Sequence, residues 1–225
     1  MKKLLASSVI AATALAGVAA PAMADLSANV GYASEYYFRG ILQKSSSASA
    51  GLDYENAGFY VGTWAADVGD GLEIDGYLGY GMEFEGGFSV GAGFTTYQYT
   101  GDTFDSEYNE FNLYLGFNIV SLEYTVGTQD EADSGPNAGG PPEDVDYDFI
   151  KLTVEQNGFY ASYGSFGDDA DGDYFEFGYG TEVGGFDLGI AAIFSSDELS
   201  DQIDADGDAN ESEALVFTLG KTFDL

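Results

Sequence analysis

The sequence predicts an all-β protein, an antiparallel up-and-down transmembrane β-barrel of twelve strands. Three observations predict it: apolar and polar residues alternate with a period of two, short and long connections alternate along the chain, and the chain begins with an export signal. A period of two places every second side chain on the same face of a strand. Tight turns between such strands make them antiparallel neighbours in a sheet.

The turn Glu85-Gly86-Gly87 joins the two strands with the clearest alternation. Carboxylates and glycines separate the apolar residues before it, and Ser, Gly and Thr separate those after it. A Gly-Gly turn between two alternating runs is a hairpin signal. The apolar face of this hairpin comprises Ile74, Leu78, Tyr80, Met82, Phe84, Phe88, Val90, Ala92 and Phe94.

The first 24 residues have the pattern of a secretory signal peptide. Met1-Lys2-Lys3 is a short positive region, residues 4–20 are apolar and small, and Ala22-Met23-Ala24 fits an A-x-A cleavage site. We therefore expect cleavage after Ala24. The remaining chain, residues 25–225, is long enough for one domain, which we predict to be an outer-membrane β-barrel.

The composition excludes several classes of function. Lys2 and Lys3 lie in the signal peptide, so four of the six basic residues remain beside 39 acidic ones. Nucleic acid is therefore excluded as a partner, because phosphate binding needs Lys and Arg. The absence of Cys and His removes disulfides, thiol catalysis and the commonest zinc ligands. The 17 Tyr and 17 Phe argue against a disordered chain.

Alternation along the chain predicts twelve strands. The short connections fall at residues 56–58, 85–87, about 119, 156–158 and 184–185. The other connections, at 40–46, 68–71, 100–107, 128–146, 167–172 and 195–211, are mostly longer and acidic. The predicted strands cover residues 27–39, 47–55, 59–67, 73–84, 88–95, 108–118, 120–126, 147–156, 159–165, 175–183, 186–194 and 212–223.

Two architectures use strands with one apolar and one polar face. In a soluble sandwich the apolar face is the core, whereas in a transmembrane barrel it meets lipid. The export signal, the even strand number and the alternation of short and long connections favour the barrel. An aromatic girdle is expected beside the short turns, where Phe59, Phe84, Phe88, Phe117, Phe159, Phe186 and Phe223 lie.

Four segments resemble the TorF-family porins, conserved outer-membrane proteins of proteobacteria. The resemblance is most specific over residues 27–80. It implies an outer-membrane location, insertion by the barrel-insertion machinery and a porin-like activity. The segments are Tyr36-Tyr37-Phe38-Arg39-Gly40-Ile41, Gly51-Leu52-Asp53-Tyr54, Gly58-Phe59-Tyr60-Val61-Gly62-Thr63-Trp64 and Glu73-Ile74-Asp75-Gly76-Tyr77.

The sequence contains few of the residue types on which enzyme catalysis commonly depends. Without His or Cys, paired carboxylates would have to do the chemistry, and among 39 acids some pairs are expected by chance. We predict no catalytic residues, no cofactor and no metal site. The segments 169–173 and 204–208 are similar to calcium loops, but their Gly and Glu do not fall at EF-hand positions. They are interpreted as solvated outer loops, with weak divalent-cation binding as the alternative.

The predicted non-lipid face is mainly acidic. Such carboxylates could select cations in an open lumen, or they could pair with Arg39 and Lys151 in a lumen filled by side chains. Arg39 could be a partner of Glu35 or a constriction residue. The candidate pore-lining residues are Glu35, Arg39, Asp53, Trp64, Glu73, Asp75, Glu83, Glu110, Glu123, Lys151, Glu155, Glu176 and Glu182, with Asn29, Glu55, Tyr77, Tyr114 and Glu213 on the same predicted face.

The sequence favours an outer-membrane porin that passes small cationic or neutral solutes by diffusion. The expected partners are outer-membrane lipid, the barrel-insertion machinery and those solutes or cations. A closed structural or adhesive barrel is the alternative from another class, and a soluble secreted β-protein is the third. The alternation of residues does not indicate an oligomeric state.

Overall fold

Twelve antiparallel strands pair in chain order around one closed barrel in the described part of the chain. The computed structural model describes residues 25–101, 107–132, 143–203 and 207–225. The predicted fold class is therefore confirmed. The strands are β1 (Asp25–Phe38), β2 (Ile41–Asn56), β3 (Phe59–Gly69), β4 (Gly71–Phe84), β5 (Phe88–Tyr99), β6 (Tyr108–Phe117), β7 (Val120–Ala132), β8 (Glu143–Gln156), β9 (Phe159–Asp168), β10 (Asp173–Val183), β11 (Phe186–Ser195) and β12 (Ser212–Asp224).

The first and last strands close the barrel. They pair from Ser27 opposite Asp224 to Ala33 opposite Thr218. Beyond this register, the backbone N–H of Leu225 donates to the carbonyl oxygen of Leu26 over 2.9 Å. Closure removes the unpaired edges that an open sheet would present.

The short turns lie together at one end of the barrel with both ends of the described chain. Ala57-Gly58, Asn157-Gly158 and Gly184-Gly185 join consecutive strands, and all six of these residues have positive φ angles. Two consecutive positive φ angles match the right-handed twist of the flanking strands. The short connections thus fall where the sequence predicts them.

The outward face is apolar over its whole circumference. Exposed Leu, Ile, Val and aromatic side chains of every strand point away from the barrel. The seven phenylalanines of the predicted girdle are all exposed beside the short turns, from 42% for Phe59 to 65% for Phe159. Glu213 also faces outward, in phase with Leu215, so its predicted place on the inner face is wrong.

On the inner face, tyrosine rings pack over glycines of neighbouring strands. A Cβ on Gly62, Gly127, Gly164 or Gly178 would collide with a tyrosine ring. The rings belong to Tyr77, Tyr147, Tyr174 and Tyr160, in the same order. Because a glycine leaves room on one strand for a large ring from the next, the interior is filled without widening the barrel.

The predicted loops differ from the structure in several places, and β3 and β4 leave only Asp70 of the predicted loop 68–71. The predicted loop 40–46 is a tight turn followed by the start of β2, and β7 and β8 extend into the predicted loop 128–146. The last connection contains a 3-10 helix, Asp197–Leu199, and a bridge between Ile203 and Ala209. The described residues contain no helix of the length and hydropathy that crossing a membrane would require. The predicted signal peptide, 1–24, lies outside the described residues.

Candidate functional site

The hairpin between β1 and β2 leaves the barrel wall. β1 pairs with β12 only as far as Ala33, and β2 pairs with β3 only from Ser49. Beyond the wall, β1 and β2 pair only with each other, from Ala33 opposite Ser47 to Phe38 opposite Ile41, with one extra residue, Gln43, on the β2 side. Because the bulge and the missing wall partners free this segment, it can bend away from the sheet. We call residues 34–48 the inserted hairpin.

The tip of the inserted hairpin lies inside the barrel. Arg39 and Gly40 form the tip, and both are buried. Ser195 Oγ of β11 donates a hydrogen bond of 2.6 Å to the Gly40 carbonyl oxygen. A Cβ on Gly40 would come within 2.8 Å of Tyr174 on β10. Since β10 and β11 do not neighbour the hairpin's own strands in the sheet, these contacts can form only across the lumen.

Arg39 binds two carboxylates on the far side of the barrel. Its Nη1 is 2.5 Å from Oε1 of Glu110 on β6, and its Nη2 is 3.0 Å from Oε2 of the same residue. Nη2 also donates to Glu123 on β7 over 3.1 Å and to Thr125 Oγ1 over 3.4 Å. The Glu110 contact is a bidentate pair, the strongest form of a carboxylate–guanidinium interaction. Arg39 therefore has Glu110 and Glu123 as partners, rather than Glu35.

Aromatic residues enclose this ion pair. The Arg39 guanidinium carbon lies 4.2 Å from the centre of the Phe149 ring and 4.8 Å from that of Phe38. The hydroxyl groups of Tyr147 and Tyr97 donate to Glu110 over 2.7 and 3.1 Å. Guanidinium–ring contacts and phenol donors satisfy charges that have lost their water.

A second acidic group lies on β4, against the other face of the hairpin. Tyr36 and Tyr99 donate hydrogen bonds of 2.6 and 2.9 Å to the two carboxylate oxygens of Glu73. The Tyr36 ring meets Trp64 edge-on, with 5.7 Å between the ring centres. Asp75 lies two residues after Glu73 and is 3% exposed.

The inserted hairpin separates two apolar clusters. Tyr36 and Phe38 pack on the β3–β5 side, and Tyr37 and Ile41 pack on the β8–β12 side. Leu199, from the 3-10 helix of the last connection, enters the second cluster from the loop end. The first cluster is Tyr36, Ala66 and Val68 with Phe38, Trp64 and Tyr99, and the second is Phe149, Tyr174, Ile193, Leu199 and Val216 with Tyr37, Ile41, Phe166 and Ala214.

Buried side chains line the inner face around the inserted hairpin. Every strand from β3 to β12 contributes at least one buried inward side chain. One such residue from each strand, taken in order, is Ala66, Glu73, Tyr97, Glu110, Thr125, Phe149, Ser162, Tyr174, Ile193 and Val216. The hairpin fills the space between them.

The half of the lumen near the short turns is less filled. Asp53 accepts hydrogen bonds from Asn29, over 3.0 Å, and from Tyr77. Tyr160 donates to Glu176. Glu83 and Glu182 face inward near the short turns and are exposed. Glu83 and Glu182 are therefore the carboxylates that this half of the barrel presents to solvent, whereas Glu176 is buried.

The structure brings some of the predicted pore-lining residues together and leaves others apart. Arg39, Glu110 and Glu123 meet at the hairpin tip, and Trp64, Glu73 and Asp75 lie together on β3 and β4. The remaining candidates do not join either group. Lys151 lies opposite Glu123 in the strand register but forms no ion pair with a described carboxylate, and Glu35 and Glu155 are half-buried. Whether these residues line a conducting pore stays a prediction.

Sequence reasoning missed the inserted hairpin and its aromatic contacts. Alternation places Tyr36 and Phe38 on the predicted lipid face, whereas both lie inside. One signal was present: Lys44 and Ser46 occupy positions where a membrane strand would expose apolar side chains. A polar run at those positions indicates a segment that does not meet lipid.

The described residues hold no group of three or more acidic side chains arranged to bind a metal ion. The predicted calcium-like segment 169–173 forms a connection in which Gly172 N–H donates to Asp171 over 2.8 Å. Residues 204–206, in the other such segment, lie outside the described residues.

Two solved structures of membrane proteins share the fold of this chain with TM-scores above 0.5. The COG4313 outer membrane channel from Pseudomonas putida F1 has a TM-score of 0.51 and 11% identity, with 91% of this chain and 97% of that one covered. A structure from a study of in-meso crystallization of membrane proteins has a TM-score of 0.52 and 11% identity, covering 89% and 84%. OccAB2 of Acinetobacter baumannii has a TM-score of 0.43 and 11% identity over 88% of this chain, which spans 60% of its length.

Sequence comparison gives the family. No curated protein matches the chain. The resemblance to TorF-family porins is not confirmed, since the matching family carries a different description. That family, Gcw_chp, is described as a bacterial protein of unknown function, and its model matches residues 16–154. This match covers more than half of the sequence, and the chain belongs to the Gcw_chp family.

Proposed function

We propose that this protein is an outer-membrane channel for small cationic or neutral solutes, which the inserted hairpin holds closed in the described state. One observation carries the proposal: the segment that closes the lumen, residues 34–48, has no backbone pairing with β12 or β3. The strand pairing that closes the barrel lies outside this segment, and its hydrogen bonds to the backbone of β12 and β3 come from the side chains of Ser34 and Ser47. The hairpin can therefore move without breaking the pairing between wall strands.

The chemistry of the closure also supports a movable segment. A permanently closed barrel could be filled with apolar side chains, and replacing buried ion pairs by apolar residues is often neutral or stabilising. Here the hairpin tip instead carries a buried Arg39 that binds Glu110 and Glu123. Polar contacts of this kind can exchange with water when the hairpin withdraws, whereas a continuous apolar core would lose the stabilisation of burial.

The charge of the inner face supports the solute preference. In the half of the lumen near the short turns, the inward charges are mostly carboxylates, among them Asp53, Glu83, Glu176 and Glu182. Carboxylates on the walls of a narrow channel attract cations and repel anions. The preference should weaken as salt rises, because the screening length falls from about 10 Å at 0.1 M to about 3 Å at 1 M.

A closed structural barrel is the second candidate. The observation in its favour is the burial of inward side chains from each of the strands β3 to β12. In that case the inserted hairpin would be a fixed part of the core.

Planar-bilayer recording with a shortened hairpin separates the two candidates. Replacing residues 35–45 by Asn-Gly would join Ser34 to Ser46 through a two-residue turn and leave the wall pairing of β1 and β2 unchanged. A matched control replaces Glu85-Gly86-Gly87, at the opposite end of the barrel, by the same two residues.

We expect the shortened variant to conduct steadily in a potassium chloride gradient, with a reversal potential that indicates cation preference. The wild type and the control should conduct less or only in brief openings. No conductance from the shortened, folded variant would favour the structural barrel. A reversal potential indicating anion preference would overturn the assignment of the solute class.

A further inference from the structure

Asp75 carries a buried oxygen without a hydrogen-bond partner. Among the fully buried side-chain nitrogen and oxygen atoms of the described residues, only Asp75 Oδ1 and Arg39 Nε lack one. The great majority of buried polar atoms in proteins have a hydrogen-bond partner, so an unpaired carboxylate oxygen indicates a missing partner.

Neither Arg39 nor Lys44 of the inserted hairpin supplies that partner. Arg39 directs its charged nitrogens to Glu110, Glu123 and Thr125. Lys44 pairs with Asp67 in a half-exposed position at the base of the hairpin. The buried interior therefore holds more carboxylates than positive charges. Asp75 is one of the buried carboxylates that no positively charged side chain pairs with.

The surroundings of Asp75 are suited to a positive charge. Glu73 lies on the same inward face of β4, two residues before Asp75 and about 7 Å from it along the strand. Trp64 and Tyr97 are the cross-strand neighbours of Asp75 on either side, and both point into the barrel. Carboxylate oxygens are hard ligands for alkali and alkaline-earth cations, and aromatic faces attract cations further.

We propose that Asp75 and Glu73 hold one small monovalent cation, of the size of Na⁺ or K⁺, beside the inserted hairpin. A divalent ion would need more carboxylates, and no three described acidic side chains converge. Since Tyr36 of the hairpin donates to Glu73, the cation would stabilise the carboxylate to which the hairpin binds. The site does not depend on solute passage, because a barrel that never conducts would still bind the ion.

Thermal unfolding with exchanged cations tests the proposal. The midpoint is measured by the shift in gel mobility on heating, in sodium, potassium or N-methylglucamine chloride at equal ionic strength. We expect sodium or potassium to raise the midpoint by about 5 °C over N-methylglucamine, the shift that a ligand well above its dissociation constant gives a chain of this size.

Two substitutions of matched chemistry provide the controls. Asp75→Asn should abolish the dependence on cation identity. Asp53→Asn should retain it, because both oxygens of Asp53 already have donors in Asn29 and Tyr77. Equal midpoints of the wild type in all three salts would overturn the proposal and indicate that Asp75 is instead protonated.

A direct measurement covers the case in which Asp75→Asn fails to fold. Crystals of the wild type grown or soaked in rubidium chloride should show an anomalous peak within about 3 Å of a carboxylate oxygen of Asp75, as expected for a large alkali cation. An interior without such a peak at full rubidium exchange would refute the site. Loss of the site would leave the channel proposal standing, because that proposal is tested by conductance.

Discussion

At the scale of single residues, Arg39 determines how charge is balanced inside the closed barrel. It is 6% exposed, and it neutralises part of the charge of two buried glutamates. Removing one partner of a buried ion pair leaves the other charged and without water, which is more costly than removing all of the charges together. The contribution of Arg39 therefore depends on Glu110 and Glu123 being ionised.

We predict that Arg39→Met lowers the free energy of unfolding by about 3–5 kcal/mol, because Glu110 and Glu123 are left without a counter-charge. The triple variant Arg39→Met, Glu110→Gln, Glu123→Gln should recover most of that loss. Denaturant unfolding of the barrel in lipid vesicles measures both. A triple variant as unstable as the single one would show that the residues contribute through packing rather than charge.

Gly40 is the second residue on which the hairpin tip depends. Its φ angle is +84°, and a Cβ would come within 2.8 Å of Tyr174. Gly86, in a short turn at the other end of the barrel, has a φ angle of +98° and nothing within 4 Å of the same position. The two glycines thus share a positive φ angle and differ in their surroundings.

Alanine substitutions at Gly40 and Gly86 distinguish the cost of backbone strain from the cost of a steric clash. We expect Gly86→Ala to destabilise by about 1–2 kcal/mol, the cost of a left-handed conformation for an alanine. Gly40→Ala should cost more, because the added methyl group also displaces Tyr174. Equal losses of unfolding free energy in the two variants would mean that the hairpin tip does not lie against β10.

At the scale of elements, the inner face alternates glycines with tyrosines of the neighbouring strand. A Cβ on Gly178 would overlap the ring of Tyr160, which donates a hydrogen bond to Glu176. Gly91 also lies within a strand on the inner face, but a Cβ there would meet only ordinary contacts, the nearest at 3.4 Å. Glycine is therefore needed at the first position for space and not at the second.

Substituting these two glycines tests the packing of the inner face. Gly178→Ala should lower the free energy of unfolding by about 1–3 kcal/mol, as overpacking of a filled interior does. Gly91→Ala should be neutral or slightly stabilising, because alanine loses less conformational freedom than glycine on folding. Unfolding curves of the two variants, measured side by side in detergent, provide the comparison. A stabilised Gly178→Ala would contradict the position of the Tyr160 ring over Gly178.

The elements could be predicted from the sequence wherever a local pattern determines them. Alternation predicts β4 and β5 with the correct faces, because the side chain of each residue follows from its parity in the strand. The same rule fails for Tyr36 and Phe38, which have outward parity and lie inside. Their position follows from the loss of wall pairing after Ala33, a long-range property of which the polar residues Lys44 and Ser46 are the one local sign.

The buried acidic residues could also be predicted only in part, since a local pattern gives the strand face of each residue but not its partners. Parity predicts that Glu73, Asp75, Glu110 and Glu123 face inward, and they do. The pairing of Arg39 with Glu110 and Glu123 could not be predicted, because it joins residues 71 and 84 positions apart in the chain. Only the folding of the hairpin across the lumen brings them within reach.

At the scale of the whole molecule, the barrel wall surrounds the inserted hairpin, which is formed by two strands of the same sheet. The wall is complete through the pairing of β1 with β12, while the inserted hairpin lies inside it without strand partners on either side. The two parts differ in stability. Opening the wall would break hydrogen bonds between neighbouring wall strands, whereas moving the hairpin would not. Local opening of the hairpin is therefore expected before the barrel unfolds.

The most direct test of the inserted hairpin uses the one arginine of the sequence. Arg39 lies at the hairpin tip, so an arginine-specific protease has a single cleavage site in this chain. A protease needs an accessible, extended segment, which a buried tip does not offer. A variant with Glu211→Arg, in the exposed last connection, provides an accessible site as a positive control.

Limited proteolysis of the folded barrel in detergent, followed by mass spectrometry, gives the answer. We predict that the native wild type resists cleavage after Arg39, that the heat-unfolded chain is cut there into two fragments, and that the Glu211→Arg variant is cut at the new site while folded. Rapid cleavage of the native wild type after Arg39, at the rate of the exposed control site, would contradict the closed lumen.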